Sequence, residues 1–455
     1  MSHLLLKGGT IVSMDPGIGT LPQGDVLIEG QRIAAIAPAL EAPPGAEVVD
    51  AAGRIVMPGF VNAHMHTWQT ALKGIAADWT IQEYLRAMHA GLATHFRAED
   101  VYIANLVGAL GQIDCGTTTL VDWCHNNPTP CCTDAAIDAL EESGLRALFL
   151  HGSPKPDPKE GQKHFSEVPL PRSEIERIRR DRFTSDDRLV TCGLAILGPG
   201  MSVFDVSKAD LLLARELDLV ASMHVSGPML VPDGFERLCA LGGLIGPKTN
   251  IVHGNTIAPD CLSLLVDHGA TFSVTAEVEM QMGFGRPLTN RLRALGGAIS
   301  IGSDIESGMA SDMFAVTRFA LQCARFLDSL DAIEATGRGP AAITVRAEEA
   351  LHWATLGGAR MAGLEHKVGS LAPRKQADLI LLRTDDLNLF PVADPIASIV
   401  LQAGPKNVES VLVAGRFLKR SGSLLYGTLE AKREALAASG ARILRAFAQP
   451  AHLVA

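Results

Sequence analysis

Val61-Asn62-Ala63-His64-Met65-His66 reads as an apolar strand ending in His-x-His. Residues two apart in an extended strand share a face. The spacing therefore aims two imidazoles at one point, as a metal ion requires. A histidine pair this close also arises by chance, so the reading depends on further ligands elsewhere in the chain.

From Met57 onward, short apolar strands alternate with helical stretches. Strands are expected near 57–66, 117–123, 145–151, 189–196, 219–225, 249–254, 271–276 and 298–304. Helices are expected from Thr133 to Ser143, stopped by Gly144, and from Pro259 to His268, stopped by Gly269. Eight strands alternating with helices in about 300 residues point to an α/β fold, a parallel (β/α)8 TIM barrel. An open doubly wound sheet is the alternative, weakened by the lack of Gly-x-Gly-x-x-Gly after an early strand. Residues 1–56 read as strands, with a hairpin pairing Asp25–Ile28 with Arg32–Ile36. The β pattern returns after Ala347–Leu364, a helix that closes the barrel. The expected division is a small β-sandwich domain from 1–56 and 366–427, a barrel over 57–365, and a C-terminal helix over 428–455. The Pro-, Lys- and Asp-rich excursion 152–188 follows the third strand, as a lid over the site or a solvated insertion.

If the barrel is right, residues at strand C-termini face the reaction centre. Those ends supply His64 and His66, His224 on the fifth strand, His253 on the sixth and Asp304 on the eighth. A lone strand histidine is more often structural; five convergent residues favour a metal site.

The remaining features bound the class. Apolar residues make up 47% and charged residues 20% of the 455, ordinary for a globular protein. A net charge of −10 argues against nucleic-acid binding, which rests on Lys and Arg. No apolar run is long enough to span a bilayer, and the first residues do not form a signal peptide. The eight cysteines include no Cys-x-x-Cys pair and read as reduced, mostly buried thiols. The expected location is cytoplasmic and the expected partner a small-molecule substrate.

The chain resembles the amidohydrolase superfamily, in its deaminase and chlorohydrolase branch. Pro58–His66 looks like that family's first-strand motif and Cys115–Asp122 like its second strand. Gly369-Ser370-Leu371 with Ala377-Asp378-Leu379 looks like the return to its β-sandwich. The resemblance implies one divalent ion held by His64, His66, His224 and Asp304, Zn2+ in first place and Fe2+ as substitute. A metal-lowered water pKa gives a hydroxide nucleophile. Asp304 is then expected to shuttle the proton, and His253 to orient the water and stabilise the oxyanion. The fourth strand, 191–197, has neither the lysine nor the glutamate that two metals need. The resemblance also implies a homo-oligomer.

One departure stands out. Many heterocycle deaminases of this branch have a glutamate three residues after the fifth-strand histidine, where it protonates the substrate ring. Gly227 occupies that position here. Glu279 is the suggested replacement, either supporting the ligands from behind or facing the substrate. Glu277, of the same strand parity, is its rival and Glu306 a weaker one; all three could instead pair with Arg286, Arg291 or Arg293. Gln69, Trp79, Tyr84 and His125 are candidate substrate contacts, with His151 a further one, and the aromatics could equally be core. The expected function is hydrolysis of a non-peptide C–N bond in a small cyclic or aromatic molecule, with release of ammonia or an amine first. Amide, carbamate or urea-type hydrolysis and aryl dechlorination are the alternatives on the same site. An inactive ligand-binding barrel is the remaining class.

Overall fold

The computed structural model describes residues 2–448. Eight parallel strands form the barrel: Phe60–Met65, Thr117–Cys124, Arg146–Gly152, Val190–Ile196, Ala221–Val225, Thr249–His253, Thr271–Val274 and Ala298–Ile301. They pair in chain order, and almost every strand residue is buried, as expected for strands covered on both faces. A bridge between Met65 and Asp304 joins the first and last strands, which excludes the open sheet. There the Asp304 N–H donates to the His64 carbonyl at 2.9 Å, and the His66 N–H to the Asp304 carbonyl at 2.8 Å. Gly302 makes this approach possible, since a Cβ there would lie 2.5 Å from the His64 carbonyl oxygen. Closure thus places two histidines and an aspartate side by side.

A second, nine-stranded mixed sheet draws strands from both ends of the chain. Leu379–Arg383 pairs antiparallel with both Arg54–Pro58 and Val408–Val413. Strand alternation divides its side chains between two cores. Val56, Leu379, Leu381 and Leu412 pack within the sheet's own core; Ile55, Met57, Ile380, Leu382, Val411 and Val413 pack into the core shared with the barrel. A buried ion pair spans the join: Arg146 Nε donates to Asp378 Oδ2 at 2.7 Å and Nη2 to Oδ1 at 3.1 Å. The same carboxylate accepts from the Ala414 N–H at 2.8 Å. Removing one partner leaves a buried charge alone, so Asp378→Ala is expected to cost about 3–5 kcal/mol, read by urea unfolding.

The helix closing the barrel runs through Ala347–His352, Trp353–Gly357 and Gly358–Met361. The helix ending at Gly144 begins at Pro130, earlier than its apolar pattern suggests, because Thr129 caps it and Pro130 fits the first turn. The C-terminal helix, Leu429–Ala448, docks on the start of the helix Ala98–Asp114 and the turn before it: Ser439 Oγ donates to Asp100 Oδ1 at 2.6 Å, and Arg442 pairs with Asp100 and donates to the His95 carbonyl at 2.9 Å. Residues 449–455 of the expected helix lie outside the described residues. All eight cysteines are free, and six are buried.

One local expectation is corrected. The seventh strand ends at Val274, and Ala276–Gln281 is a short helix. Ala-Glu-Val-Glu-Met-Gln is rich in good helix formers. Glu277 and Glu279 therefore do not share a face: Glu279 is fully buried, while Glu277 is only partly so.

Candidate active site

His64, His66, His224, His253 and Asp304 meet at the C-terminal ends of the barrel strands, all buried. The Nε2 atoms of His64 and His224 lie 3.1 Å apart. Asp304 Oδ1 lies 3.4 Å from His64 Nε2 and 3.3 Å from His66 Nε2. Asp304 Oδ2 faces His253 Nε2 at 3.8 Å. The strand register is shifted between Asn62 and Met65, so a bulge joins simple alternation in aiming the first two rings.

The electrostatics suit a cation. Burial pushes His66 down to about 3, with the neighbouring His64 adding to the shift. Burial also lowers His64, and His224 falls well below its ordinary value through burial and its histidine neighbours. Burial opposes ionisation of Asp304, but hydrogen bonding to His64 and the facing His253 and His66 rings outweigh it and hold the carboxyl below its usual range. The His66 Nδ1–H donates to the Trp123 carbonyl at 2.7 Å, which leaves its Nε2 lone pair facing the cluster. Three neutral imidazoles and one carboxylate form a divalent-ion donor set. Tetrahedral bonds of 2.0–2.1 Å place donors about 3.3 Å apart, and the short separations here match that spacing. His253 and Asp304 both adopt left-handed backbone, with φ of 67° and 65°, a strain of about 1–3 kcal/mol each of the kind that collects at working sites.

Behind the cluster, His253 Nδ1 lies 2.9 Å from Thr275 Oγ1 and 3.4 Å from Glu279 Oε1. Glu279 accepts from the Thr275 N–H at 2.8 Å and from Asn255 Nδ2 at 3.0 Å. It therefore faces His253 from behind rather than the cavity. Glu277 reaches neither: its Oε2 is buried without a partner, and burial raises its pKa. Glu306 accepts from Thr70 and Ser311, both at 2.6 Å, with Lys73 3.2 Å away. The three arginines have other partners: Arg286 pairs with Asp331, Arg293 with Glu349, and Arg291 donates to the Ile257 carbonyl.

In front of the cluster is a narrow chamber of about 50 Å³, lined by His66, Tyr84, His125, His224, His253 and Asp304. Through Ile81, Leu85, Met201, Ser226 and Phe284 it adjoins a vestibule of about 760 Å³ that includes Gly227. A Cβ on Gly227 would meet nothing within 4 Å, so the missing acid leaves open space. Gln69 is buried beside the chamber, donating to Tyr84 Oη at 2.5 Å and accepting from Ser307 Oγ at 2.6 Å. Trp79 is half-buried against the main core, and His151 lies outside the chamber within reach of Thr133. A larger cleft of about 1100 Å³ sits by the N-terminal end of the eighth strand, lined by Arg293 and His352, and holds none of the convergent residues.

Two chamber residues escaped the sequence reading. His89 lies against His125, with Nδ1 3.0 Å from His125 Nε2, and burial lowers both rings well below their ordinary values. Lys155, from the excursion after the third strand, is buried in the chamber wall with Nζ 5.5 Å from the centre of the Trp123 ring. Burial pushes its ammonium down to about 8, with the Asp304 charge opposing the shift. Its position just past a barrel strand was the available signal; His89 had none.

A closed parallel barrel with imidazoles and a carboxylate at its strand C-termini defines a barrel hydrolase. The chain belongs to the amidohydrolase family, whose model matches residues 55–418, and it is a hydrolase acting on carbon–nitrogen bonds other than peptide bonds. It is 28% identical over 430 residues to a 5-methylthioadenosine/S-adenosylhomocysteine deaminase of Symbiobacterium thermophilum, covering 92% of this chain and 94% of that one. It is 27% identical over 418 residues to a 5'-deoxyadenosine deaminase of Methanothermobacter thermautotrophicus, covering 89% and 91%. Among solved structures, it resembles a zinc-bound adenosine deaminase from Xanthomonas campestris, with TM-score 0.82, 23% identity and coverage of 98% and 99%. It also resembles atrazine chlorohydrolase TrzN from Arthrobacter aurescens complexed with zinc, with TM-score 0.83, 20% identity and coverage of 96% and 100%. At these identities the two structures bear on the fold alone.

Proposed function

We propose that the protein is a mononuclear, divalent-metal-dependent deaminase that releases ammonia or an amine from a small nitrogen heterocycle. The observation that carries this reading is the buried convergence of three neutral imidazoles, an ionised carboxylate and a fourth histidine. The deaminase names of full-length relatives support it. His64, His66, His224 and Asp304 would hold the ion, zinc first and iron as substitute. Bound there, it supplies the Lewis acidity that lowers the pKa of water from about 15.7 to roughly 7.

The chain's own groups do the rest. Asp304 is ionised and can accept a proton, then return it to the departing nitrogen. His253 Nε2 faces the same space, and its Nδ1 is held by the Thr275 hydroxyl with Glu279 behind it. In the tautomer in which Nδ1 accepts from that hydroxyl, Nε2 carries the proton and donates toward developing negative charge on the substrate. Tyr84, His125 and the shared chamber wall confine the reacting group away from bulk water. Glu279 is thus a positioning residue in this reading. Glu279→Gln is expected to lower kcat/KM about 10–100-fold with ion content unchanged, while Glu277→Gln stays within about twofold. Equal effects in steady-state assays would contradict the assignment.

A second reading has its own observation. The open space at Gly227 removes the usual ring-protonating acid, which hydrolysis of an amide, carbamate or urea-type bond does not need. Assaying ammonia, amine plus acid, and chloride from a substrate panel separates these outcomes from each other and from aryl dechlorination.

A further inference from the structure

Lys155 is a cation in the wall of the reaction chamber with no protein counter-ion in contact. Only 6% of the residue is exposed. Among the described residues no carboxylate lies within ion-pair reach of Nζ; Asp304 acts on it only through longer-range charge. Its nearest compensation is the face of Trp123, 5.5 Å away.

Burying an ammonium without a partner costs folding free energy, and such a group is retained where something else supplies the charge. The fold accepts that cost in the chamber rather than on the surface. Among the described residues of the chamber lining, Lys155 is the one that ends in an ammonium. We infer that Lys155 receives an anionic oxygen of the substrate, a carboxylate or an acidic ring oxygen, on the chamber wall. The inference deepens the deaminase reading and rests on it for the ring: the preferred substrate is an amino-heterocycle bearing a negatively charged oxygen.

The test is ligand binding to the zinc-reconstituted full chain, which requires no turnover. Two matched pairs serve as probes: orotate against uracil, and urate against hypoxanthine. Isothermal titration is expected to show the anionic member of at least one pair binding about 10- to 100-fold more tightly. Lys155→Met is expected to remove that preference while keeping zinc content and a Tm equal to or above that of the parent. Equal affinities within both pairs, including no binding by any probe, overturn the inference. A preference that survives in Lys155→Met overturns it as well, because the anion is then held by the ion or by another residue. Failure of the deaminase reading is distinguished separately, as an absence of ammonia or amine from any substrate while the charge preference persists.

Discussion

His64→Ala is expected to lose both the ion and turnover. His64 sits at the centre of the cluster, 3.1 Å from His224 Nε2 and 3.4 Å from Asp304 Oδ1. Its ring is also the hydrogen-bond partner that most strongly holds Asp304 ionised in a buried setting. Removing it takes away one donor and weakens a second, so the remaining imidazoles no longer define a four-donor site. Losing an ion that shifts the pKa of water by almost nine units is expected to lower kcat by roughly 10⁴-fold or more. Elemental analysis of the purified variant, paired with an ammonia assay, reads both effects. Full activity without bound ion would contradict the assignment of His64.

The second large effect belongs to His253. Its Nε2 lies 3.8 Å from Asp304 Oδ2, beyond the short spacing of the other donors, and its Nδ1 is held by Thr275. His253→Asn is therefore expected to keep the ion and lower kcat about 10²–10⁴-fold, with a smaller change in KM. Asparagine is the informative replacement because residue 253 has φ of 67°, a conformation that asparagine tolerates better than most residues. Loss of the ion in this variant would move His253 into the ligand set.

The barrel was legible because its period is strong. Buried parallel strands read as short apolar runs, and the ends of those runs carried His64, His66, His224, His253 and Asp304. The two sheet halves, about 300 residues apart, were legible as β pattern and as one composite domain, but which strands pair, Leu379–Arg383 against Arg54–Pro58, was not, since register across an insertion leaves no local signal. Glu279 was singled out by position but placed on a strand. The chain turns helical right after Val274, and only that turn puts Glu279 behind His253 with Thr275 between them. Lys155 and His89 were missed because each reaches the chamber from a segment whose course depends on packing, Lys155 from a loop and His89 from the end of the short helical stretch Ile81–His89. In sequence, Lys155 sits in a Pro-rich, charged stretch that reads as a solvated excursion, and its burial follows from how that stretch folds back over Trp123.

The dependence of C–N hydrolysis on a divalent ion in this cluster is tested most directly by stripping the protein with a chelator, restoring it with zinc in increments, and following ammonia or amine release from an amino-heterocycle panel. Stripped protein is expected to release none, with recovery that saturates at one ion per chain. Release at the full rate from ion-free protein, or recovery that requires two ions per chain, would contradict this dependence on one ion.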